Sequence, residues 1–132
     1  MNIKSSQTLV EEAQKNIKTL SSSEVKSLYD NKEITLIDIR DIRELWKEGT
    51  VEHSKHIPRG MLEFWLDPES SYYKTNKIQD IKKMVLFCAL GWRSALATKS
   101  LMDMGFKNVA HVEGGFDSLK KSGLKVIKKE KK

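Results

Sequence analysis

Cys88 is the only cysteine in this 132-residue chain, and the residues after it bear directly on its chemistry. Gly91, Arg93 and Ser94 follow within six positions, with Ala89, Leu90 and Trp92 between them. The run Met84-Val85-Leu86-Phe87 stands immediately before. It is short and wholly apolar, which reads as a buried strand. Beyond the loop, Ala97, Leu101 and Met104 recur at i, i+4 and i+7, one face of a helix, and Gly105 stops it. This order predicts Cys88 at the carboxyl end of a strand, facing the start of a helix. Free backbone N–H groups and the positive end of a helix dipole both favour an anion there. A thiol so placed is expected to ionise more readily than a free cysteine, whose pKa is about 8.5. Arg93 adds a permanent cation, and Gly91 lets the loop turn its amides inward. Together these parts describe a cradle for a thiolate, or for a sulfur species attached to it. The competing reading, a small buried hydrophobe, explains the cysteine alone but not its neighbours.

Length and composition bound the rest. The chain is long enough for one domain and too short for two ordinary ones. No apolar run approaches the roughly 20 residues needed to span a membrane. Residues 1–18 are polar and mixed in charge, without the core of a signal peptide. One cysteine excludes an internal disulfide, and a reducing, cytoplasmic location is expected. His53 and His56 lie close in sequence and His111 far away, so no metal site is expected. The net charge is +6, and the stretch from Lys120 to Lys132 carries seven lysines and one glutamate. That stretch alone accounts for +6, so the remainder is neutral. It reads as a basic, solvated, frayed end on a neutral domain. No aromatic residue interleaves it, so nucleic-acid binding is not expected.

The elements that must position the cradle follow in order. Residues 6–16 read as a short amphipathic helix carrying Leu9, Val10 and Ala13, and residues 17–20 as an edge strand. Ser21 to Ser23 offer an N-cap before a helix whose face holds Val25, Leu28 and Tyr29, ended by Asp30-Asn31. Ile34 to Ile39 is a second strand. Asp41 caps a helix that turns Ile42, Leu45 and Trp46 inward, with Gly49 closing it; Arg40 and Glu44 are spaced to pair. Residues 51–60 read as a connection containing His53, His56, Pro58 and Arg59. Met61 to Leu66 is a dense apolar patch, read first as core and second as a lip over Cys88. A turn-rich loop runs from Asp67 through Tyr72-Tyr73 to Asn76, and Ile78 to Lys83 leads into the cysteine's strand. Lys107 to Val112 is the last strand, broken by Gly114-Gly115, and Phe116 and Leu119 anchor a final short helix. Strands alternating with helices predict an α/β fold, a mainly parallel central sheet with helices on both faces. The expected organisation is a helical extension over 1–16, a domain over 17–123 and a basic tail over 124–132. In such sheets functional residues gather beyond the strand carboxyl ends, where Cys88 and Asp38 to Arg40 would both lie.

Four motifs in order resemble the single-domain rhodaneses, a family of sulfurtransferases. Asp38-Ile39-Arg40 with Glu44 resembles the family's D-x-R-x-x-x-E. His56-Ile57-Pro58-Arg59-Gly60 resembles its H-I-P-G-A turn. Cys88 to Arg93 resembles its six-residue active loop, C-x-x-G-x-R, and Val112 to Phe116 its late G-G-aromatic motif, with phenylalanine where tryptophan is common. The resemblance implies a rhodanese-like fold over about residues 17–123 and no cofactor. It implies that Cys88 attacks the outer sulfur of a donor such as thiosulfate or a persulfide. A Cys88 persulfide would then pass sulfur to cyanide or a thiol. The amides from Ala89 to Ser94 would hold the persulfide anion, with Leu90, Gly91 and Trp92 in between. Arg93 would stabilise charge, and Asp38 and Arg40 would brace the site.

The departures are informative. Ala89, Leu90 and Trp92 stand where thiosulfate-specialised members carry cationic side chains in the loop. Arg59 replaces a small residue and is expected as a substitute cation for substrate. Trp92 and the Phe64-Trp65 patch suggest an apolar mouth suited to a larger thiol or a protein-borne sulfur acceptor. Two other functions compete. Cysteine-loop phosphatases and arsenate reductases place five residues between cysteine and arginine, and here four intervene. A non-catalytic binding module would use the Met61 to Leu66 patch instead.

Overall fold

The computed structural model describes residues 2–73 and 81–131. The readings of Tyr72 to Asn76 as loop and of Ile78 to Lys83 as a lead-in fall partly outside these. Helix α1 (Ser6–Gln14) begins at an N-cap serine, Ser5, which accepts from the Thr8 amide. It buries Val10 and Ala13 and packs against the helix that follows Cys88, whereas Leu9 stays exposed. Strand β1 (Thr19–Leu20) leads into α2 (Ser22–Asp30), started by a reciprocal capping box between Ser21 and Glu24. Strand β2 (Ile34–Asp38) precedes α3 (Ile42–Glu48), capped in the same way by Asp41 and Glu44 and closed by Gly49. The short strands β3 (Thr50–Val51) and β4 (Lys55–His56) come next, then a single 3₁₀ turn, Arg59–Met61, and α4 (Leu62–Leu66). Strand β5 (Lys83–Phe87) ends at Cys88; α5 (Trp92–Met104), β6 (Val109–Val112), α6 (Gly115–Lys121) and β7 (Val126–Ile127) complete the order.

The main sheet has the order β1-β6-β5-β2-β4, and every pair in it is parallel. Strands buried on both faces need no polar alternation, which is why β5 and β6 are almost continuously apolar. Alternate residues point to opposite faces. Leu36, Val85, Phe87, Ala110 and Val112 face one way and pack with Val25 of α2 and Phe116 and Leu119 of α6. Ile37, Met84, Leu86 and Val109 face the other and pack with Leu62 and Leu66 of α4 and Ala97 and Leu101 of α5. The expected α/β architecture with helices on both faces is the one found.

Several local expectations are corrected. The stretch 51–60 is not only a connection: β3 pairs antiparallel with β7, and β4 pairs with β2. Leu124 is buried and Val126 and Ile127 are paired, so the basic end is folded as far as Ile127. Met104 is exposed: it is the last residue of α5, and in that turn it is Leu101 that faces the core. The patch from Met61 to Leu66 is mainly core: Leu62 and Leu66 are buried, Trp65 packs against them, and Phe64 is exposed. Arg40 does not pair with Glu44. Arg40 lies before the N-cap, outside the helix, so the i,i+4 geometry does not apply and its side chain turns inward. No described helix is long and apolar enough to cross a membrane.

Candidate active site

Strand β5 delivers Cys88 to the carboxyl edge of the sheet, 1% exposed. The chain then turns at Gly91, whose φ of +105° is open to glycine at little cost, and enters α5. This turn points two amides at the sulfur: Gly91 N donates to Sγ at 3.1 Å and Ser94 N at 3.4 Å. The Ser94 hydroxyl lies 3.6 Å from Sγ. N–H donors so arranged stabilise an anion on sulfur more than a neutral thiol.

The loop is held from behind by the Gly114-Gly115 turn. Phe116 N donates to the Cys88 carbonyl at 2.8 Å. Gly115 lies so close that a Cβ there would stand 2.5 Å from Cys88 O and 2.6 Å from Ala89 O, and its φ is +61°. Glycine is therefore required at 115 by contact with the loop as well as by the backbone.

Below the loop sits a buried ion pair. Asp38 and Arg40 are both 0% exposed, and Arg40 Nη2 donates to Asp38 Oδ2 at 2.8 Å. Nε adds a bond to Asp38 Oδ1, and Nη2 also reaches Gly49 O at 2.8 Å. The Thr50 hydroxyl donates to Asp38 at 2.7 Å. The guanidinium lies 4.1 Å from the centre of the Phe116 ring, and Nη1 stands 3.5 Å from Glu48 without a hydrogen bond. The segment His56 to Arg59 is pinned to the same strand end. His56 Nε2 meets Arg40 O at 2.7 Å, Ile57 N donates to Asp38 O, and Arg59 N donates to Ile39 O. Ile39 N in turn donates to Phe87 O, next to the cysteine.

Arg93 projects to the rim, where both guanidinium branches donate to Glu44 at 2.8 and 3.0 Å. That pair raises the Arg93 pKa and lowers that of Glu44, in each case chiefly through the hydrogen bonds between them. The cation beside Cys88 is thus matched by a carboxylate. Arg59 is turned to a different task. Its guanidinium donates to both oxygens of Glu63 at 3.0 and 2.9 Å, and Glu63 also accepts from Ser100. Leu90 and Trp92 are 57% and 59% exposed and make the loop's outer surface apolar.

One residue at the site escaped sequence reasoning. His111 of β6 is 1% exposed and meets the Ser94 hydroxyl at 2.9 Å through Nδ1. Its signal was present: a histidine inside Val109-Ala110-His111-Val112, where every other position is apolar. Among the described residues no group of three histidine, cysteine, aspartate or glutamate side chains is placed to hold a metal ion.

Comparison with known proteins bears on the family and the fold. The chain is 34% identical over 100 residues to the putative sulfurtransferase YtwF of Bacillus subtilis, covering 75% of this chain and 86% of that one. Among solved structures, a protein of unknown function from Rhodopseudomonas palustris, described as a possible tyrosine phosphatase, superposes with a TM-score of 0.88 at 40% identity, covering 96% and 97% of the two chains. The polysulfide-sulfur transferase homodimer of Wolinella succinogenes gives a TM-score of 0.69 at 34% identity, covering 94% and 88%. Other relatives are longer. The chain spans 66% of a mouse thiosulfate sulfurtransferase/rhodanese-like domain-containing protein and 26% of the tRNA uridine(34) hydroxylase of Photorhabdus laumondii. The model of the rhodanese-like domain matches residues 21–122, which takes in every element from α2 to α6. The chain belongs to the rhodanese-like domain family.

Proposed function

We propose that this protein is a sulfurtransferase that carries sulfur on Cys88. The observation that supports this best is the sulfur's own setting: two amides and a hydroxyl converge on Sγ at the mouth of a helix. The Cys88 thiolate attacks the outer sulfur of a donor. An S–S bond forms to Cys88 as the donor's S–S bond breaks, and the donor leaves as a thiolate, or as sulfite where thiosulfate is used. An acceptor thiolate then attacks the outer sulfur, and Cys88 leaves as a thiolate. Splitting the transfer into two displacements predicts ping-pong kinetics. Gly91 N and Ser94 N stabilise the sulfur anion, Arg93 contributes positive potential, and the Asp38–Arg40 pair fixes the strand end from which the loop springs.

The rim bears on the donor. Glu44 offsets part of the Arg93 charge, Glu63 holds Arg59, and Leu90 and Trp92 face outward. An organic persulfide or polysulfide, with an apolar portion against Leu90 and Trp92, fits this mouth better than the thiosulfate dianion. The phosphatase alternative needs a loop wide enough to surround a tetrahedral oxyanion. Only four residues separate Cys88 from Arg93, and the arginine is engaged by Glu44.

Intact mass after brief treatment with an alkyl persulfide, and separately with thiosulfate, tests the reading. A gain of about 32 Da that cyanide removes and that is missing in Cys88→Ser supports a Cys88 persulfide. No gain with either donor overturns the proposal.

A further inference from the structure

Strand β6 places His111 between Thr19 of β1 and Leu86 of β5, in register with both. A polar ring in this position must find partners for both nitrogens or lose two hydrogen bonds to burial. It has two. Nε2 lies 3.0 Å from Thr19 Oγ1, and Nδ1 lies 2.9 Å from Ser94 Oγ. Burial alone pushes the imidazole down to about 4, so the ring is neutral at physiological pH. A neutral imidazole has one donor nitrogen and one acceptor.

Ser94 is where the choice matters. Its hydroxyl has one hydrogen and three polar neighbours: His111 Nδ1, Gly91 O at 3.2 Å and Cys88 Sγ at 3.6 Å. If the ring hydrogen is on Nε2, Nδ1 must accept, and Ser94 spends its only hydrogen on the histidine. If the ring hydrogen is on Nδ1, Ser94 accepts from the histidine and keeps its hydrogen free. That hydrogen can point at Gly91 O while Cys88 is a thiol donating to Ser94. It can point at Sγ once the sulfur is an anion. Only the second arrangement follows the sulfur through its change of charge, and a hydrogen bond to an ionised acceptor is roughly twice as strong as a neutral one.

We infer that His111 is a positioning residue for Cys88: held by Thr19 and donating from Nδ1, it frees the Ser94 hydroxyl to serve as a third hydrogen-bond donor to the sulfur anion. The charged and titratable groups around this row are few. Arg93 of α5 stands near Cys88 but is paired with Glu44 of α3. Asp38 and Arg40 at the end of β2 neutralise each other, and Glu113 lies beyond β6 on the wall of a cleft of about 450 Å³ shared with His111, Thr19 and Trp92. None of these can replace the serine hydroxyl at the sulfur. The inference rests on Cys88 being the nucleophile, but its readouts do not require sulfur transfer.

Two measurements on the full chain test it. The first is the ring tautomer of His111, read from 1H–15N correlations above the pH midpoint of Cys88 alkylation. The expected result is hydrogen on Nδ1 and a bare Nε2; hydrogen on Nε2 overturns the inference without any mutation. The second is the pH profile of iodoacetamide alkylation. In His111→Phe the midpoint is expected to rise by about one pH unit, a tenfold loss of thiolate below it. His111→Asn, whose amide can occupy the place of Nδ1, is expected to recover at least half of that shift. A Phe profile that superposes on the wild type, or an Asn variant as impaired as the Phe variant, overturns it. Should the Phe variant fail to fold, the tautomer and the Asn profile decide. Failure here with a persulfide still formed in the mass experiment removes only the role of His111. Success here with no persulfide formed would leave the tuned thiol and remove the sulfur-transfer reading.

Discussion

Two arginine–carboxylate pairs hold this site, and they differ in one physical respect. Asp38 and Arg40 have no exposed surface, whereas Glu44 and Arg93 are 30% and 41% exposed. In the buried pair Arg40 is held by Asp38, Gly49 and the Phe116 ring, with only Nη1 left without a hydrogen bond 3.5 Å from Glu48, and neither charge is exposed to water. In the rim pair both groups can. The same chemistry therefore does two jobs. On the proposed function the buried pair would fix where β2 ends and so where the loop sits, while the rim pair would set how much positive potential the loop presents.

The largest expected effect breaks the buried pair. Asp38→Asn keeps the shape but leaves Arg40 an interior cation with only the half-exposed Glu48 near it, 3.5 Å from Nη1, a loss expected to cost about 3–5 kcal/mol. For a domain this small that is a large part of the total. The urea midpoint should fall steeply; a midpoint near the wild type would show that Glu48 and water suffice to hold the Arg40 charge.

His111 sharpens the contrast, being buried and uncharged. Its folded pKa, about 4, lies below the ordinary 6.5, so the unfolded chain takes up a proton that the folded chain refuses. Stability is then complete above about pH 6.5 and falls as pH drops toward 4, by on the order of 3 kcal/mol over that window. His111→Phe should flatten this part of the stability curve in denaturant titrations at several pH values. An unchanged slope between pH 6.5 and 4 would mean that the imidazole is protonated in the fold.

Breaking the rim pair should barely move stability. Glu44→Gln is expected to cost less than about 1 kcal/mol, since exposed pairs contribute little. Its effect should appear in kinetics. With the carboxylate gone, Arg93 presents its charge, and kcat/KM should rise several-fold for thiosulfate but not for an alkyl persulfide, most clearly at low salt. Equal changes for both donors would show that Glu44 acts on loop geometry, not on charge.

The two pairs also mark where the sequence was legible. Wherever a periodic apolar pattern met a cap or a glycine, the element followed: β2, β5, α5 and α6 stand where the pattern put them, and Cys88 stands at its strand end. Contacts that depend on tertiary placement were not legible. Arg40 and Glu44 have the spacing of a helical pair, but Asp41 is the cap, so one side chain points into the core and the other along the rim. Glu44 also closes the capping box by accepting from the Asp41 amide. Strands β3, β4 and β7 have two residues each, too few to show a period. The bonds from His111 to Thr19 and Ser94 join residues 92 and 17 positions apart, a link that no local pattern carries.

A third pair offers the smallest effect and a control for the other two. Arg59 and Glu63 lie four residues apart, 35% and 25% exposed, with Ser100 as a further partner for Glu63. On charge alone Arg59 could serve as a substitute for the cations missing from the loop. Its geometry argues otherwise, because the branch that makes both bonds is aimed at Glu63 and the backbone of Arg59 is anchored to Ile39. Arg59→Ala should lower stability by less than about 1 kcal/mol. It should leave kcat/KM for thiosulfate within about twofold, the scale expected when a charge already paired with a carboxylate is removed. The same assay that detects the Glu44→Gln gain is sensitive enough to decide this. A selective loss of thiosulfate activity, with persulfide activity intact, would instead place Arg59 on the donor and show that the Glu63 pair opens to meet it.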